Sequence, residues 1–129
     1  MTTGSWVPET AKASLTLPSE DALARWSAMS PDQISQLTST EISQLASTIN
    51  AGVDRWIEHV DDCGQDTLLG LLKFFTLAEM THTPLRADKH NPAIACAKLL
   101  RKRYGPLDKA LLQWIRSVSD NRFLPYGPL

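Results

Sequence analysis

Residues 67–81, TLLGLLKFFTLAEMT, limit the fold more than any other stretch of this chain. Thr67, Gly70, Lys73, Thr76 and Glu79 recur at every third position. A step of three residues falls about 60° short of whole helical turns, so these positions spiral around a helix and mark no single wet face. Leu68, Leu69, Leu71, Leu72, Phe74, Phe75, Leu77 and Met80 therefore point in nearly every direction. Such a helix, interrupted by Lys73 and Glu79 and too short to span a bilayer, has to be wrapped by other helices. The segment is predicted to be the central helix of a bundle.

Cap signals place its neighbours. Ser19 precedes Glu20 and Asp21, first-turn acids that suit the positive end of a helix dipole. Ser30-Pro31-Asp32-Gln33 puts a cap, a first-turn proline and a capping-box glutamine in register. Thr38 and Glu41 repeat that spacing and predict a helix running towards Asp62, its apolar face formed by Ile42, Leu45, Ile49, Val53, Trp56 or Ile57, and Val60. Gly64 is placed to stop that helix, and Asp66 to cap the central one. Ile34 to Glu41 is followed by a similar stretch, Ile42 to Thr48, at a period of eight; two copies do not make a repeat architecture, and the Thr38 cap predicts a break between Ile34 and Ile42. Asn91-Pro92 opens a further helix that closes on Arg101-Lys102-Arg103-Tyr104-Gly105, and Pro106 opens the last one.

No segment alternates with period two for long enough to require a sheet. The fold class is thus all-α: a compact bundle of five to six helices over residues 19–129 around the central apolar helix. An extended arm over residues 1–18 precedes it, and a non-helical tail over residues 120–129 follows. Trp6 is expected to anchor the arm, and Phe123 and Leu124 to fold back over the last two helices. A length of 129 residues and 43% hydrophobic content suit one globular domain and exclude a collagenous, disulfide-scaffold or wholly disordered chain. The first six residues carry no basic patch followed by an apolar run, and Cys63 and Cys96 lie far apart. The expectation is a cytoplasmic chain with free thiols and no membrane segment, monomeric or homodimeric.

Motifs for chemistry are sparse. Gly64, Gly70 and Lys73 miss the spacing of a phosphate-binding loop. His59 and Cys63 share a helix face and could supply two metal ligands, with Asp62 close by, but three histidines and no C-x-x-C pair predict no metal site. Cys96 sits in the apolar run from Ala93 to Ala97 and reads as a small core residue. No catalytic residue and no cofactor follow from the sequence.

Charge is more informative. Residues 1–64 hold three Lys/Arg against nine Asp/Glu, and residues 65–129 hold ten against five, giving −6 and +5. The two halves either neutralise one another within the fold or display charge to a partner. Lys98, Arg101, Lys102 and Arg103, with Lys109, Arg116 and Arg122, form the basic cluster, and the tail adds aromatic residues between prolines. The best reading is a small non-enzymatic adaptor or regulatory module that binds another macromolecule, in first place a protein. Phe123 and Tyr126 would serve as anchors, with Arg101, Arg103 and Arg122 giving orientation. A nucleic-acid-binding regulator that uses the basic half is the alternative, and a metal- or thiol-dependent enzyme the second.

Overall fold

The computed structural model describes residues 17–127, and the expected arm lies outside this range apart from Leu17 and Pro18. The described residues form seven α-helices and no strand: α1 (Glu20–Ser27), α2 (Pro31–Ser35), α3 (Ser39–Ile49), α4 (Val53–Val60), α5 (Gln65–Thr81), α6 (Pro92–Tyr104) and α7 (Lys109–Val118). The fold is all-α, with more helices than the five to six expected. The expected anchor, Trp6, lies outside the described residues.

The three N-terminal cap signals act as their chemistry requires. Ser19 Oγ accepts from the Ala22 amide at 3.2 Å. Ser30 with Gln33 and Thr38 with Glu41 close complete capping boxes, so α2 and α3 are separate helices despite the two similar stretches. The helix expected to run from Thr38 towards Asp62 is instead two. Asn50 ends α3, and Gly52 takes φ +114°, a conformation that a helix cannot contain and that β-carbon-bearing residues avoid. The break lets Trp56 turn inward, where it is fully buried and its indole N–H donates to the Thr48 carbonyl at 3.1 Å.

Two other boundaries move. Gly64, expected to stop a helix, is the N-cap residue of α5, so Asp66 lies inside the first turn and does not cap it. Pro106 precedes Asp108, and α7 starts at Lys109. The stretch between α5 and α6 folds into two short 3₁₀ turns, Thr83–Leu85 and Asp88–His90. His82 ties it down through a 2.7 Å hydrogen bond between its Nε2 and the Ile34 carbonyl.

Helix α5 is wrapped as its sequence demands. It packs against α1, α2, α6 and α7, while α4 lies on α6. Leu68, Leu71, Leu72, Phe74, Phe75 and Ala78 are all buried. Trp26 of α1 stacks on Phe74 with centroids 5.4 Å apart, and Trp56 meets Phe75 edge-on at 5.2 Å. Helix α1 can come this close because position 70 is glycine: a β-carbon there would stand 2.1 Å from the Ser27 carbonyl oxygen. Among the described residues no helix is long and apolar enough to cross a membrane.

Candidate docking site

Helix α6 has two characters along its length. From Pro92 to Ala97 every residue is buried, and the small side chains of Ala93, Ala95, Cys96 and Ala97 let it lie close to its neighbours. From Lys98 onward it surfaces. Lys98, Arg101 and Lys102 are spaced three and four apart and share one exposed face. Arg103 is a further 100° round the helix. It turns to the connection that follows α4, where it binds the Asp61 carboxylate at 2.9 Å, the Cys63 carbonyl at 3.0 Å and the Asp61 carbonyl.

The tail supplies the other wall. Its path is set by Glu79, a carboxylate on the central helix that is 2% exposed. Oε2 accepts from the amides of Ala87 and Asp88, both at 2.8 Å. Oε1 accepts from the side-chain amides of Asn91 at 3.0 Å and Asn121 at 2.8 Å. Arg86 Nε stands 3.9 Å away. Four donors satisfy the buried charge, which would otherwise be prohibitive to desolvate. The same bonds lock three distant segments together: the second 3₁₀ turn, the cap of α6 and the start of the tail.

From Asn121 the chain turns back on itself. Asn121 Oδ1 accepts from the Phe123 amide at 2.9 Å, and the Gly127 amide donates to the Phe123 carbonyl at 2.6 Å. Leu124 packs on the core and Pro125 is buried, which meets the expectation that the tail folds back, whereas Phe123 is half-buried. Gly127, at φ +81°, passes so close to α6 that a β-carbon would come within 3.2 Å of Ile94 Cγ2. This leaves Tyr126 36% exposed, its ring under the Arg101 guanidinium at 4.4 Å from the centroid.

The result is a groove of about 570 Å³ lined by Lys98, Arg101, Lys102, Gly105, Pro106 and Tyr126. Of the five residues singled out in the sequence, Arg101 and Tyr126 meet in it. Arg122 and Phe123 form their own cation–π pair at 5.1 Å, and Arg122 lines a separate cleft with Arg116, Ser119 and Asp120. Arg103 is engaged by Asp61 and Cys63 after α4. Among the described residues, Arg25, Arg86 and Arg103 have carboxylate partners, whereas Lys98, Arg101 and Lys102 have none. The sequence placed Asn91 as the cap of α6, which its side chain performs by accepting from the Ala93 amide, but gave no sign of its cluster with Glu79 and Asn121, since only the fold brings them together.

The thiols are not activated. Burial raises the Cys63 thiol above its ordinary value, with the nearby carboxylates of Glu20 and Asp62 adding to the effect. Complete burial pushes Cys96 much higher still. His59 Nε2 is directed at the Pro18 carbonyl, and no group of three or more potential metal ligands occurs among the described residues. Comparison with protein-family models, curated proteins and solved structures finds no match to this chain.

Proposed function

We propose that this chain is a small helical binding module that docks an acidic segment of a protein partner in the groove of Lys98, Arg101, Lys102 and Tyr126. One observation carries the reading: three cations with no carboxylate partner line one groove, and one of them, Arg101, lies over a tyrosine ring in a tail anchored by a buried hydrogen-bond network. Cations that are not neutralised internally attract carboxylates, and the stacked Arg101 is pre-organised to receive one in a fixed direction. A protein is favoured over nucleic acid by scale. Nucleic-acid binding draws its affinity from many phosphate contacts and a basic overall charge, whereas the groove presents three cations in a chain of net charge −1. A cytoplasmic location accompanies this reading, consistent with two free cysteines.

Fluorescence anisotropy with a labelled octapeptide of alternating Asp and Glu tests it, in about 20 mM and about 200 mM salt. Binding is expected at low salt, weakening as salt rises, and the double variant Lys98→Glu/Lys102→Glu should lose it. Absence of binding at low salt, or binding unchanged in the double variant, would rule the reading out. Preferential binding of a labelled oligonucleotide would replace it with the nucleic-acid alternative.

A further inference from the structure

The turn between α6 and α7 borders more than the basic groove. Gly105 and Pro106 also line a second cleft, of about 410 Å³, on α5 and the start of α7. Four leucines, Leu69, Leu100, Leu107 and Leu111, share its lining with Gln65, Asp108 and the exposed Lys73 and Tyr104. Leu100 and Leu111 belong to the core, whereas Leu69 and Leu107 are half-buried, so leucine side chains form an apolar strip within the cleft. Gly105, at φ +89°, and Pro106 put no long side chain between the two clefts.

We infer that the leucine strip of this cleft takes a large hydrophobic residue of the same acidic segment that occupies the basic groove. This rests on the acidic-segment reading above and adds the partner's sequence character to it. Adjacency is one argument: an extended chain advances about 3.3–3.6 Å per residue, so neighbouring residues of one peptide can lie on both sides of the Gly105-Pro106 segment that both clefts share. Charge is the other. Lys73, Lys98, Arg101 and Lys102 flank the joined clefts, against the single carboxylate of Asp108. A hydrophobic residue therefore enters this surface most favourably when its neighbours are acidic. The division of labour is the usual one, with an apolar anchor supplying affinity and charges setting approach and register. The occupant is a segment in which Phe, Leu or Met is flanked by Asp and Glu.

Three labelled nonapeptides separate the claims: four acidic residues on each side of Phe, the same with Ser in place of Phe, and the Phe peptide with Asn and Gln in place of its acids. Burying the ring should make the acidic Phe peptide bind about tenfold tighter than the acidic Ser peptide. Leu107→Gln, at the half-buried wall, should erase that difference while leaving the Ser peptide's affinity unchanged. Lys98→Gln/Lys102→Gln should weaken both acidic peptides by the same factor. Equal affinity of the acidic Phe and Ser peptides for the wild-type protein would overturn the inference and leave the groove reading standing. Failure of both acidic peptides to bind would remove the groove reading, and an equally tight neutral Phe peptide would refute the coupling between the clefts. Light scattering covers a second copy as occupant, because mass rising with concentration in the unliganded protein would also overturn the inference. The wild-type comparison is decisive even if Leu107→Gln fails to fold.

Discussion

Glu79 shows what a single buried charge does here. Its four N–H donors come from positions 8 to 42 residues further along the chain, so no local pattern announces the cluster. In the sequence it is one polar position in a spiral of them. Glu79→Gln tests its role with almost no change in volume. The new amide must point its N–H groups at one pair of donors, leaving buried groups unsatisfied at about 1–3 kcal/mol each. Urea unfolding should report a loss of about 3 kcal/mol, and amide exchange should accelerate at Ala87, Asp88 and Phe123. A loss below about 1 kcal/mol would show that the network does not hold the tail. Glu41 gives a smaller, pH-dependent case. Its hydrogen bond from Arg25 holds its carboxyl below the ordinary value, and the Thr38 amide adds to this. A lowered folded value means that the stabilisation is complete above the unfolded glutamate value and is lost as pH falls through the lowered one. The stability difference between wild type and Glu41→Gln should therefore shrink on acidification through that window, as thermal melts at a series of pH values would reveal.

At the level of elements, local chemistry was readable and close approach was not. Capping boxes involve residues three apart, so Ser30 with Gln33 and Thr38 with Glu41 could be placed from the sequence alone. The break between α3 and α4 carried a signal too: Asn50 and Gly52 are both at home at helix ends, but the continuous apolar stripe across them concealed it. Gly70 illustrates what pattern reading leaves out. On propensity alone, alanine in a helix interior is better than glycine by about 1 kcal/mol. The 2.1 Å approach to the Ser27 carbonyl reverses the sign, because backbone cannot rotate away as a side chain can. Gly70→Ala should cost about 1–3 kcal/mol and loosen α1 from α5, seen as faster amide exchange over residues 20–27. A more stable Gly70→Ala protein would mean that α1 does not pack there.

Across the whole molecule, the question raised by the two oppositely charged halves has a structural answer. Among the described residues, Arg103 with Asp61 is the ion pair that joins them, while Arg86 pairs within the basic half and Arg25 within the acidic half. Most of the positive charge on α6 therefore remains on display. The apolar helix at residues 67–81 foretold the architecture because burial of an all-round hydrophobic surface admits few solutions. The candidate site was only half legible: the sequence supplied its cations and its tyrosine, but a buried carboxylate set their relative positions. An amide NMR titration of the full chain with the acidic octapeptide at low salt tests this most directly. The largest shifts are predicted at Lys98, Arg101, Lys102, Gly105 and Tyr126. Shifts confined to α1 and α3, or none at saturating peptide, would contradict the account.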